Sequence, residues 1–146
     1  MSRKNNSSPG AGWQAKQQGL SDHETRGKTA HQRLRRLDQF LMAFDPGRLR
    51  QGGVVVDLGY GRAPITTIEW FDRLKPLHPH VQMVGVERDA DRVAEAQDWV
   101  QPGLVFRKGD FQLPLLGGEQ VQLLRAMNVL RQYDESAAIT AHRQLL

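Results

Sequence analysis

Val54-Val55-Val56-Asp57-Leu58-Gly59-Tyr60-Gly61-Arg62-Ala63-Pro64 is the stretch whose reading decides the fold. Three valines running into a carboxylate read as a strand, Val54 to Asp57, of the apolar kind that is covered on both faces. Gly59 and Gly61 then form a tight turn. Without a Cβ they reach positive φ and let a ligand touch the main chain. Pro64 suits the first helical position, where its missing N–H costs nothing. Strand, glycine turn and helix start together make the nucleotide-type ligand site of an open α/β sheet.

The flanking sequence extends this unit in both directions. Upstream, Leu34, Leu37, Leu41 and Phe44 recur at three- and four-residue steps. This spacing predicts an amphipathic helix over about 29–44 with these four side chains on one face, either covering a sheet face or forming a lid over the ligand. Arg33, Arg35 and Arg36 crowd its other side, and Asp45-Pro46-Gly47 stops it. Downstream, a helix is expected from Pro64 to about Leu74, with Ile65, Ile68, Trp70 or Phe71, and Leu74 facing inward. Two prolines in Lys75–His80 forbid its continuation. A second strand follows over Val81–Glu87, then a helix capped by Asp89 that runs to about Val100. A third strand over Gly103–Arg107, a fourth over Val121–Met127 and a helix from about Asp134 complete the pattern. Such alternation implies a Rossmann-like α/β fold, a parallel sheet with helices on both faces.

Composition narrows the class. The chain of 146 residues, 39% hydrophobic, suits one domain with a real core. It has no apolar run long enough for a membrane span and no secretory leader, so a cytoplasmic protein is expected. It has no cysteine, which excludes disulfides and thiolate chemistry. The histidines lack metal-ligand spacing, so no metal site is expected. Charge is uneven: residues 1–50 carry ten Lys/Arg against four Asp/Glu, whereas the remainder is slightly acidic. Residues 1–28, polar and without an apolar period, read as a basic disordered arm preceding a domain over 29–146. An arm of this charge suits either solvation or RNA contact.

The chemistry gathers at strand ends. Asp57, Glu87 and Asp110 close three successive strands, and in a parallel sheet those ends share the edge where the ligand crevice lies. A carboxylate after the second strand can accept both hydroxyls of a ribose. A dinucleotide site wants a third glycine where this chain has Pro64. It also disfavours a negative charge at the base of the phosphate loop, where Asp57 stands. A sulfonium ligand with a cationic amino-acid tail fits Asp57 better.

Taken together, these segments resemble the class I S-adenosylmethionine-dependent methyltransferases, from about residue 30 to the end. Asp57–Ala63 resembles that family's first motif, Val84-Gly85-Val86-Glu87 its second, and Lys108-Gly109-Asp110-Phe111 its third. Leu123 to Leu130 resembles the fourth-strand segment ending in Asn-Val-Leu. The resemblance implies S-adenosyl-L-methionine as cofactor, held by Asp57, Gly59, Tyr60, Gly61, Glu87, Arg88, Asp110, Phe111 and Asn128. It implies methyl transfer to an unidentified acceptor by positioning and desolvation of the two partners. Asn128 and Tyr133 are the candidate catalytic residues, with Arg131 nearby. The competing reading is a domain of the same fold without catalysis, acting as an RNA-binding module through its basic arm. The family's sheet has about seven strands, and the sequence after Asp134 supplies only a helix. The C-terminal strands are therefore expected to be missing, with a sheet edge exposed to a partner or a second copy.

Overall fold

The computed structural model describes residues 30–127 and 129–146, so the expected arm over 1–28 and the side chain of Asn128 lie outside the described residues. Val54–Leu58 forms β1, buried along its whole length as the valine run requires. It lies between β2 (Gln82–Glu87) and β4 (Val121–Arg125), and β3 (Leu104–Lys108) adds to the far side of β2. All pairings are parallel, and the order is β3-β2-β1-β4. This is a Rossmann-like α/β sheet. The order reverses direction between β1 and β4, which puts the crevice of such folds outside the carboxyl ends of those two strands.

Alternate residues of the strands feed two cores. On one face Val55, Met83, Leu104 and Phe106 pack with Ile68, Trp70, Phe71 and Leu74 from α2 (Ile65–Leu74). Ala96, at the end of α3 (Ala90–Ala96), joins them, as do Leu41 and Met42 of α1 (Arg35–Phe44). On the other face Val54, Val56, Val84 and Val86 pack with Phe111 and with Ala141 of α4 (Glu135–Leu145). Burying each large side chain contributes roughly 1.5–3 kcal/mol. Asp89 caps α3 by accepting main-chain N–H bonds, as its position in the sequence suggests, and Asp134 caps α4 in the same way. Among the described residues no helix is long and apolar enough to cross a membrane.

α1 departs from the expected pattern in two ways. It starts at Arg35, because Gln32 takes a left-handed φ of 62° and its N–H bonds the carboxylate of Glu69 at 3.0 and 3.1 Å. Its inward stripe also differs. Leu34 is buried, yet Phe44 is 75% exposed, and Asp38 is fully buried instead.

Asp38 can be buried because two arginines reach it. Arg125 at the end of β4 bonds one of its oxygens and Arg73 of α2 the other. The Arg125 guanidinium also donates to Asp57, Nε at 2.9 Å and Nη2 at 2.7 Å, and to the Thr66 carbonyl at 2.9 Å. Its flat face lies 4.2 Å from the Trp70 ring. Arg73 extends the chain of charges to Gln32 Oε1 at 2.6 Å and toward Glu69 at 3.9 Å. Burial works against the Arg125 charge, but the bonds from Asp57 and Asp38 outweigh it and raise its pKa. One guanidinium thereby joins β1, β4, α1 and the first turn of α2.

Replacing Arg125 strands two buried carboxylates. Arg125→Met is expected to lose about 3–5 kcal/mol in urea unfolding. Arg73→Gln, whose side chain is partly exposed, is expected to lose less. Equal losses in the two variants would contradict this ranking.

Candidate functional site

The glycine turn leaves β1 at the crevice edge with both glycines in the left-handed region, Gly59 at φ 73° and Gly61 at φ 84°. They do different work. A Cβ on Gly59 would come within 2.6 Å of Val129 Cγ2, so this glycine admits the loop after β4. A Cβ on Gly61 would meet nothing within 4 Å, so this glycine faces open space. The turn is held from β2. Gly59 N–H donates to the Val86 carbonyl at 2.7 Å, and Gly61 N–H donates to Glu87 Oε2 at 2.9 Å.

Glu87 is therefore the organising carboxylate of this edge. Its other oxygen accepts from the N–H groups of Arg88 and Asp89 at 2.9 and 3.2 Å. Arg92 stands 3.9 Å away. Three of the roughly four acceptor positions of a carboxylate are occupied. A ligand hydroxyl can take the fourth, or replace Gly61 on Oε2.

Loops from three strands meet beside it. Arg88 follows β2, Phe111 follows β3 and Tyr133 follows β4. Arg88 Nη1 lies 3.5 Å from the Tyr133 hydroxyl, and the Tyr133 ring packs edge-on against Phe111 at 5.5 Å. Asp110 is exposed at the start of its loop and accepts the Gln112 N–H at 3.0 Å. The fold thus brings Gly59, Gly61, Glu87, Arg88, Asp110, Phe111 and Tyr133 to one edge of the sheet. Arg131 is exposed on the short helical turn before Tyr133.

Two expected ligand contacts are placed elsewhere. Tyr60 turns its ring into the core, packed edge-on against Phe106, and its hydroxyl donates to the Arg92 carbonyl at 3.4 Å. Burial pushes that hydroxyl's pKa well up. Only the main chain of Tyr60 remains for a ligand. Asp57 is the second. Both of its oxygens are taken by Arg125, and Thr67 Oγ1 adds a bond at 2.6 Å. With both oxygens bonded inside the protein, Asp57 is turned to its own partners rather than to the open side of the turn. Its part is to fix the base of the turn.

The sequence did signal the partners that its periodicity hides. Asp38 interrupts an apolar helix stripe and Arg125 an apolar strand, and two opposite charges in hydrophobic settings imply each other. Glu119 carries no such signal. It grips Arg107 of β3 in a two-pronged pair at 2.6 and 2.8 Å and accepts the Leu116 N–H at 2.8 Å. This clamp closes the loop that carries Asp110 and Phe111.

A cavity of about 370 Å³ lies at the opposite, amino-terminal end of the strands, bordered by Leu49, Arg50, Val55, His78, His80 and Gln122. Among the described residues no cluster of His, Asp and Glu could hold a metal ion.

Neither a family model nor a curated protein matches the chain. Among solved structures it is similar to the YcgJ protein of Bacillus subtilis, at 17% identity and a TM-score of 0.47. The alignment covers 76% of this chain and 46% of YcgJ, so the chain spans about half the length of that protein.

The Arg107–Glu119 clamp has a pH signature. The Arg107 guanidinium and the Leu116 N–H hold the Glu119 carboxyl down to about 2, from an ordinary value of 4.5. A carboxyl depressed on folding contributes stability above its ordinary pKa and loses it as pH falls through that window. Between about pH 4.5 and pH 2 the wild type should therefore lose stability that Glu119→Gln lacks throughout. The pair is partly exposed, so the difference should be about 1 kcal/mol or less. Melting temperatures across that range check it, and parallel curves with a constant gap would contradict it.

Proposed function

We propose that this chain binds S-adenosyl-L-methionine and belongs to the class I methyltransferases, acting in the cytoplasm on an acceptor still to be identified. The observation that carries the reading is Gly61. Its amide is held on Glu87 at 2.9 Å, and open space lies where a side chain would stand. A backbone that open, beside a carboxylate on the neighbouring strand, suits a nucleoside whose ribose hydroxyls take Glu87. Asp110, exposed one strand further on, would take the adenine amino group, as the motif resemblance implies.

When bound, the sulfonium supplies an activated methyl group. The chain's own residues orient and enclose it. Gly59 lets the loop bearing Val129 close on the turn, and the Phe111–Tyr133 pair walls the edge with aromatic carbon. The Tyr133 hydroxyl, beside Arg88, would orient the acceptor. Asn128 keeps the role the motif gives it, as part of the same proposal. Against a dinucleotide stands Pro64, at the start of α2 where close helix–strand packing on a diphosphate would call for glycine.

Ligand that binds only the native state raises the melting temperature, by about 2.7 kcal/mol of stability at a hundred times Kd. S-adenosylhomocysteine is expected to produce a rise of several degrees. Glu87→Ala should lose most of it, judged against that variant's own ligand-free melting temperature. A larger rise with NAD, or none with either ligand, would contradict the proposal.

A second outcome concerns Gly61. Gly61→Val adds strain of roughly 1–3 kcal/mol at its left-handed φ and fills the open space. The ligand-induced rise should disappear although the variant still unfolds cooperatively. A variant that keeps the wild-type rise would remove Gly61 from the binding surface.

A further inference from the structure

We infer that the outer face of α1 is a docking surface for single-stranded RNA, with bases stacked on Phe40 and Phe44 and phosphates held by Arg36 on that face and by Arg33 and Arg35 at the helix start. The inference does not rest on the cofactor reading. α1 is fixed from within by Leu34, Asp38, Leu41 and Met42, which leaves Arg36, Phe40 and Phe44 at four-residue steps along its outside. Phe40 is 58% and Phe44 75% exposed, and their rings lie 5.5 Å apart at a tilt of 31°. Two adjacent phenyl rings in water form a stacking platform rather than a scattered pair of surface residues.

Charge selects the occupant. Arg33, Arg35 and Arg36 are exposed and enter no ion pair with a described residue. The nearby carboxylates are spent: Asp38 faces inward on Arg73 and Arg125, and Asp45 is held by Arg48 at 3.3 Å. Among the described residues the face is thus aromatic and cationic, with Asp38 and Asp45 both held in ion pairs, which complements a polyanion that also offers π surfaces. A duplex hides its base faces, whereas single-stranded RNA presents them for stacking on aromatic and guanidinium planes. The surplus positive charge of residues 1–50 lies on the same part of the chain.

The test is fluorescence anisotropy of a labelled twelve-nucleotide oligouridylate with the full chain, at several salt concentrations and without cofactor. Phe40→Ala/Phe44→Ala should weaken binding about tenfold or more while leaving the salt dependence intact. Arg33→Gln/Arg35→Gln/Arg36→Gln should flatten the salt dependence, by about 0.7 in log–log slope for each phosphate no longer neutralised. All five side chains are exposed, so both variants should melt as the wild type does. Wild-type affinity in both variants would overturn the inference, including the case in which deleting residues 1–28 abolishes binding. Equal affinity for duplex RNA would overturn it too. So would ring-dependent binding to anionic lipid vesicles by a chain that fails to bind the oligouridylate.

Discussion

The guanidinium of Arg125 is the group on which the upper edge of this sheet depends. It lies almost wholly out of water at the end of β4 and bonds Asp57 on β1, Asp38 on α1 and the Thr66 carbonyl on α2. Each partner is itself buried, so none can move without leaving a charge or a carbonyl unpaired. Ion pairs of this kind add little net stability compared with apolar packing, yet losing one member costs much. Their effect here is geometric. The ends of β1 and β4, where the strand order reverses, are fixed relative to each other and to the helix start beyond the glycine turn.

That fixed edge lets the turn remain open. Gly61 needs neither a side chain nor a packing partner because Glu87 holds its amide from the next strand. The loop after β3 is secured separately by Arg107 and Glu119, and the loop after β4 by Val129 seated on Gly59. Three loops of different origin are thus each anchored by a contact of their own. The surfaces left between them are the open side of Gly61, the carboxylates of Glu87 and Asp110 and the Phe111–Tyr133 pair.

The fold is legible in the sequence because its signals are local. The valine run, the glycine pair and the cap at Asp89 each act within a few residues, and the strands fall close to where these place them. Glu87 and Asp110 are legible for the same reason, as carboxylates at strand ends. Tyr60 is not, because a residue between two glycines can face either way, and only the packing against Phe106 decides. Asp57 misleads for a related reason. Its charge is visible, but its partner is Arg125, distant in sequence and brought alongside only by the β1–β4 pairing. The helix stripe fails at Phe44 where a buried charge, rather than apolar area, chose the inward face. Asp38 is the residue that periodicity alone misplaces.

The central claim is that an adenosyl ligand sits on the open glycine beside Glu87. Titration of S-adenosylhomocysteine into the isotopically labelled protein, followed by amide NMR, addresses it residue by residue. The account predicts saturable shifts at Gly59, Gly61, Arg88 and Asp110, with the amides of Leu49, His78 and His80 at the far end of the strands unmoved. Shifts confined to that far end, or no shifts at millimolar ligand, would contradict it.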